Sequence, residues 1–118
     1  MSTADTRALI EGAVQRFGEE VPALKNLKLV IRLELRSHGG GAPPVWRVEL
    51  PGPKVSRDPA GGAKLDISVS RPHFNELAAD GRLKQWADAY RRGHVTVSGE
   101  NAVVRLVGSV IERQLARV

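Results

Sequence analysis

The chain has few side chains whose types and spacing support catalysis or metal binding. It contains no cysteine, which excludes disulfides, thiolate nucleophiles and cysteine-based metal sites. Its histidines, His38, His73 and His94, lack metal-ligand spacing such as His-Glu-x-x-His. Ser98 and Ser109 do not lie in the Gly-x-Ser-x-Gly pattern of a nucleophile elbow. We therefore predict that the protein is not an enzyme, needs no cofactor, and carries its histidines as solvated surface residues.

Length and composition predict one globular domain over residues 1–118. A hydrophobic content of 42% argues against intrinsic disorder. No apolar run approaches the roughly 20 residues that a membrane span needs. The first residues, Met1 to Thr6, lack the basic start and apolar block of a signal peptide. These features predict a soluble, cytoplasmic protein.

The basic charge is spread along the chain. There are 18 basic and 13 acidic residues, giving a net charge of +5. Such a charge is compatible with binding to nucleic acid or an anionic membrane. The arginines are scattered, however, and Arg91-Arg92 is their only adjacent pair. A solvated basic surface is therefore favoured over a specific nucleic-acid site.

Alternating apolar residues predict five strands. In the last third of the chain, Gly93 and Gly99 bracket a strand in which Val95 and Val97 share one face. Four earlier strands are predicted over 28–36, 45–50, 54–57 and 65–70. The short turns between these four indicate an antiparallel meander, with the strand over 54–57 near an edge. The opposite, polar face is predicted to be open to water. It carries Lys28, Arg32, Glu34, Arg36, Arg47, Glu49 and Asp66.

Helical spacing of apolar residues predicts four helices. The first covers residues 3–17 and ends at Gly18. The second is capped by Ser70 and ends at Asp80-Gly81, and the third covers 82–92. The fourth covers 100–118 and has a broad apolar face. The predicted order is helix, four strands, two helices, strand, helix, which is an α+β fold with the helices on one face of a mostly antiparallel five-stranded sheet.

The ordered set of these segments resembles the sterol carrier protein type 2 family. The residues that carry the resemblance are Trp46-Arg47-Val48-Glu49-Leu50, the strand from Leu65 to Ser70 that leads to Phe74 and Leu77, and Ala89-Tyr90-x-x-Gly93-x-Val95-x-Val97-x-Gly99 with the apolar helix behind it. The resemblance implies a five-stranded sheet, helices across one face, and a hydrophobic tunnel between them. It also implies binding of a sterol, fatty acid, acyl-coenzyme A or phospholipid without covalent chemistry. The C-terminus, Ala116-Arg117-Val118, is not the peroxisomal terminus of animal carriers.

Apolar residues of the second half of the chain are predicted to line this tunnel. They are Ile67, Val69, Phe74, Leu77, Leu83, Trp86, Tyr90, Val95, Val97, Val103, Leu106, Val107, Val110 and Ile111. The alternative is that they fill a core. Gly108, within the last helix, leaves a gap beside the ligand or permits close packing of helix on sheet. Arg91 and Arg92 are candidates for contact with an anionic head group.

Three functions remain open from the sequence. The first is a non-enzymatic carrier of a lipid or fatty-acyl ligand. Such a carrier would be a monomer or a weak homodimer, and transient contact with a membrane is compatible with its function. The second is a protein-interaction or regulatory module of the same fold with a filled core. The third is weak binding of nucleic acid or anionic membrane through the basic sheet face.

Overall fold

The computed structural model describes residues 3–36, 44–57 and 62–117. The predicted loop over 39–44 and the turn over 58–63 lie mostly outside these ranges. The predicted order of elements is confirmed: α1 (Thr3–Glu20), a short 3-10 helix (Pro22–Asn26), β1 (Leu29–Arg36), β2 (Val45–Leu50), β3 (Lys54–Ser56), β4 (Leu65–Ser70), α2 (Arg71–Asp80), α3 (Leu83–Arg91), β5 (Val95–Gly99) and α4 (Asn101–Ala116). Among the described helices, none is long and apolar enough to cross a membrane.

The five strands form one mixed sheet in the order β3-β2-β1-β4-β5. Strand β3 lies at an edge, as predicted. Three pairings are antiparallel, but β4 runs parallel to β1 and pairs with it from Ile31↔Leu65 to Arg36↔Ser70. The expectation of a four-stranded meander is therefore wrong for β4. Strand β4 pairs with the edge of β1 that β2 leaves free. Strand β1, the longest strand, therefore lies at the centre of the sheet.

The two faces of the sheet differ as the alternation predicts. Leu33, Leu35, Trp46, Val48 and Val69 are buried on the face that the helices cover. The other face is polar and partly exposed, and it is crossed by ion pairs of Arg32 with Glu34 at 3.5 Å and Asp66 at 3.7 Å and of Arg47 with Glu49 at 3.0 Å. Ligands for an apolar site must therefore lie on the helical side.

Helix α1 is longer than predicted, because it continues through Gly18 to Glu20 before Pro22 begins the short 3-10 helix. Its last residue contacts the start of α3. The Glu20 carboxylate accepts hydrogen bonds from the backbone N–H of Leu83 and from Arg82 Nε, both at 3.0 Å. A carboxylate at this position satisfies a free N–H group and interacts favourably with the dipole of α3. The end of α1 is thereby linked to the start of α3.

Glycines mark the boundaries of β5, as predicted. Gly93 has a φ of 82° and lies between α3 and β5. Gly99 has a φ of 138°, and a Cβ atom there would clash with the carbonyl oxygen of Lys64. The chain needs glycine at both positions because other residues rarely adopt these backbone angles. The path from α3 through β5 into α4 is thus tightly defined.

His73 and His94 are not the separate solvated residues that the sequence predicts. Their rings stack with centroids 4.0 Å apart, and both residues are half-buried. The pairing of Val69 with Val95 brings the end of β4, where α2 begins, beside the start of β5. Ser70 Oγ lies 2.6 Å from His73 Nδ1 and makes no capping hydrogen bond to α2. His38 lies outside the described residues.

Candidate ligand-binding cavity

A cavity of about 710 Å³ lies between the sheet and the helices. Its walls come from α1, α3 and α4, from the turn Pro51–Gly52–Pro53, and from the apolar face of the sheet. The volume lies within the roughly 300–1,000 Å³ range of small-molecule sites. Most of the lining residues are aliphatic, so the cavity suits a hydrocarbon group better than a polar one.

The floor of the cavity is the middle of the sheet. Alternate residues on four strands face it: Leu29, Ile31, Leu33, Val48, Leu50, Leu65, Ile67, Val95 and Val97. The period-two pattern places these side chains on one face, and the strand order brings them together. A branched aliphatic floor offers no hydrogen bonds, so it contributes to binding only by excluding water.

Helix α4 covers the cavity without packing deeply onto the sheet. None of its described residues is fully buried. Val104, Val107, Gly108, Ile111 and Leu115 nevertheless face the cavity. A core helix with so broad an apolar face normally buries several side chains completely. In α4, Val110, Ile111 and Leu115 pack against a small core cluster, and all three remain only partly buried.

Gly108 lies on the cavity side of α4. A Cβ atom built at this position meets no atom of the described residues within 4 Å, apart from the nearby backbone of its own helix. Close packing of helix on sheet, one of the two explanations offered by the sequence, therefore does not account for this glycine. The glycine instead widens the cavity beside α4.

The first helix supplies a wall that is not among the predicted tunnel residues. Ile10, Val14, Phe17 and Gly18 of α1 line the cavity. Phe17 meets Trp86 of α3 edge to face, with ring centroids 5.9 Å apart. The only sequence signal for this wall is the apolar face of α1, and any helix that packs on a core shows the same signal.

The structure brings most of the sequence-predicted tunnel residues to the cavity and places the others elsewhere. Those that line it are Ile67, Phe74, Leu83, Trp86, Tyr90, Val95, Val97, Val107 and Ile111. Val69 and Leu77 pack in the main core instead. Val110 packs against Val21, Leu24 and Leu83. Val103 is half-buried and Leu106 is 49% exposed, both away from the cavity lining, because helical rotation turns them to the flank of α4.

Charged residues are found among the lining as well. Arg91 lines the cavity and pairs with Asp88 at 3.3 Å, whereas Arg92 is exposed and does not line it. Lys25, which the sequence analysis did not single out, also lines the cavity, and its stem packs over Gly18. Lys25 forms no ion pair with any other described residue. Its ammonium group is therefore available to a ligand.

The described residues hold no group of three or more histidine, aspartate, glutamate or cysteine side chains that could bind a metal ion. Ser70, His73 and His94 form a small polar cluster, in which Ser70 Oγ contacts His73 Nδ1 and the two imidazole rings stack. They lie outside the lining of the cavity. The arrangement of this site is thus suited to holding a molecule by shape and apolar contact.

No protein-family model and no curated protein matches the chain. Its fold does match solved structures. Palmitated SCP2L2 from Aedes aegypti, solved by solution NMR, is 20% identical, with a TM-score of 0.61 over 94% of this chain and 95% of that one. Sterol carrier protein domain 2 of Helicoverpa armigera is 12% identical, with a TM-score of 0.61 over 94% and 87%.

A third structure, described as the ubiquinone synthesis protein UbiJ-SCP2, is 22% identical, with a TM-score of 0.54 over 95% of this chain and 94% of that one. At these identities the comparisons establish a shared fold. They confirm the five-stranded sheet and the helices that the resemblance in the sequence implies, and this chain therefore has the fold of the sterol carrier protein 2 family.

Proposed function

We propose that the protein binds the hydrocarbon part of a lipid in the cavity and carries it without chemical change. The observation that carries this proposal is the apolar cavity of about 710 Å³ beneath α4, a helix that has no fully buried residue. Empty apolar volume of this size stabilises nothing in the protein alone, because its walls lack partner atoms. A filled-core interaction module would have no reason to keep it.

A long acyl chain is the ligand that we favour. Burial of ten methylene groups contributes roughly 8 kcal/mol at about 0.8 kcal/mol each, and this corresponds to a micromolar Kd before ordering costs. The aliphatic floor and the adaptable wall at Gly108 suit a flexible chain. The likeness to palmitated SCP2L2 supports the same class of ligand.

The residues that we assign to the chain-binding site are the lining residues of the sheet and of α3 and α4. Trp86 and Tyr90 supply the aromatic part of the wall, while Val107 and Ile111 supply the underside of α4. Lys25 and Arg91 are the cations of the lining, so we assign an anionic head group to them. Of these two, Lys25 is preferred because the Arg91 guanidinium already contacts Asp88.

An isoprenoid chain is the second candidate. The likeness to a ubiquinone synthesis protein favours it. A quinone head group is neutral, so it would not depend on Lys25. Fatty acid and isoprenoid are therefore separable by a Lys25→Gln variant, which weakens binding of the anionic ligand alone.

The test is a titration of delipidated protein with a fluorescent fatty acid, followed by competition with palmitate or an isoprenoid quinone. Native mass spectrometry before and after organic extraction identifies any lipid that copurifies. We expect saturable micromolar binding and displacement by one of the two competitors. A well-folded, lipid-free protein that binds neither class would contradict the proposal.

A further inference from the structure

The outer flank of α4 carries a stripe that combines one exposed apolar side chain with two arginines. Leu106, Arg113 and Arg117 are spaced at i, i+7 and i+11, which places them on the same side of the helix. We call these three residues the α4 stripe. Leu106 is 49% exposed, and within the described part of the chain only it and Tyr90 are strongly exposed large hydrophobic residues.

The charge of the stripe is uncompensated by its neighbours. Arg113 and Arg117 are exposed and form no ion pair with the described residues. Glu112 lies on the cavity side of the helix, so it does not lie in the stripe. Within the described residues, the two guanidinium groups of the stripe are therefore not engaged in ion pairs, and guanidinium groups bind phosphate oxygens well because each offers a planar set of donors.

The stripe lies on the side of α4 that faces away from the proposed ligand site. The residues of α4 that line the cavity, among them Val104, Gly108 and Ile111, are centred on the opposite side of the helix. Tyr90, the other exposed large hydrophobic residue, lines the cavity from α3. A surface that docked on the stripe would therefore lie against the outer side of the helix that covers the cavity.

We propose that α4 docks the protein on an anionic lipid surface through the α4 stripe. Leu106 enters the interfacial region, and Arg113 and Arg117 contact lipid phosphates. A second protein chain fits less well, because stable protein interfaces bury roughly 1,200–2,000 Å² and the stripe has one large apolar residue. A bilayer needs only a small apolar anchor together with nearby cations.

Docking is independent of the proposed lipid-carrier function, since it requires no ligand in the cavity. It is measured by co-sedimentation of the full chain with vesicles of phosphatidylcholine containing phosphatidylglycerol, and with vesicles of phosphatidylcholine alone. We expect binding to the anionic vesicles only, and its loss near 1 M salt, where the Debye length falls to about 3 Å.

Two double variants distinguish the contribution of the stripe to vesicle binding from the contribution of net charge. Arg113→Gln with Arg117→Gln is expected to weaken vesicle binding roughly 25-fold, since each basic residue near an anionic surface contributes about fivefold. Lys28→Gln with Lys54→Gln removes the same charge from exposed positions outside the helical layer and is the matched control. This control is expected to retain most of the vesicle binding. Leu106→Gln tests the apolar anchor and leaves the charge unchanged.

Three outcomes would overturn the proposal: no binding of the wild-type chain to anionic vesicles, equal losses in the stripe and control variants, or a dimer on size-exclusion chromatography that Leu106→Gln dissociates. Fluorescent fatty-acid uptake is measured on the same variants and is expected to be unchanged. For the wild-type chain, fatty-acid uptake without vesicle binding would overturn docking alone, whereas vesicle binding without uptake would overturn the carrier function alone.

Discussion

The rings of Phe17 in α1 and Trp86 in α3 meet edge to face with centroids 5.9 Å apart, and both line the cavity. Phe74 of α2 contacts Trp86 in the same edge-on geometry at 6.3 Å. Three helices thus meet at one aromatic cluster on the cavity wall. Trp46, the second tryptophan of the chain, is 1% exposed in β2 and does not line the cavity. The two indoles therefore report on different regions.

Gly108 allows the size of the cavity to be changed without changing the core. We expect Gly108→Ala to raise the free energy of unfolding by about 0.5–1 kcal/mol, because alanine is the better helix former and its methyl group meets no neighbour. Gly108→Leu is expected to weaken fatty-acid binding roughly tenfold, since its side chain takes the space of about two methylene groups. Both are measured by urea denaturation and ligand titration.

Gly12 is the matched control for Gly108. It also lies within a helix and a Cβ there meets no described atom within 4 Å, but it does not line the cavity. Gly12→Leu should therefore leave fatty-acid affinity unchanged. If Gly12→Leu and Gly108→Leu weakened binding equally, the assignment of the ligand to this cavity would be wrong.

Two valines distinguish the core from the cavity wall. Val69 is fully buried in the main core, whereas Val107 borders the cavity. We expect Val69→Ala to lower the free energy of unfolding by about 2 kcal/mol, because it leaves a void among packed atoms. Val107→Ala should cost less than about 1 kcal/mol, since its methyl groups already face open space. Chemical denaturation of the ligand-free protein measures the loss in free energy of unfolding for each variant. Equal losses in the two variants would indicate that the cavity is closed in solution.

The Glu20 carboxylate should stabilise the junction of α1 and α3. We expect Glu20→Ala to lower the free energy of unfolding by about 1 kcal/mol, because the Leu83 N–H and the Arg82 guanidinium lose their acceptor. Glu76→Ala, at an exposed position of α2, removes the same charge and should be nearly neutral. Thermal unfolding at low and high salt provides the comparison. A neutral Glu20→Ala would show that the junction is held by apolar packing alone.

Local periodicity predicted the elements well but not their long-range arrangement. Alternation of Leu29, Ile31, Leu33 and Leu35 is sufficient to predict β1 and its buried face. Nothing in the strand patterns indicates that β4 pairs in parallel with β1, because the same alternation suits either direction. The prediction of a meander failed for that reason, while the order of elements and the edge position of β3 were confirmed.

The cavity could be predicted as a region but not residue by residue. Ile67 and Val69 lie on the same face of β4, yet Ile67 lines the cavity and Val69 is buried in the core. The difference depends on where α2 and α4 cross the sheet, which is a tertiary property. Likewise, the sequence around Phe17 in α1 does not indicate whether this side chain lines a cavity or packs in the core, because both positions require an apolar helix face.

Quenching of tryptophan fluorescence by a brominated fatty acid shows whether a hydrocarbon chain occupies this cavity. Trp46→Phe leaves Trp86 as the single indole, and because Trp46 Nε1 has no hydrogen-bond partner among the described residues, phenylalanine loses no hydrogen bond there. Trp86→Phe leaves Trp46 as the single indole. We predict strong, saturable quenching of Trp86 and little quenching of Trp46, with no quenching of either by the unbrominated acid. Equal quenching of both indoles, or quenching of Trp46 alone, would contradict the account.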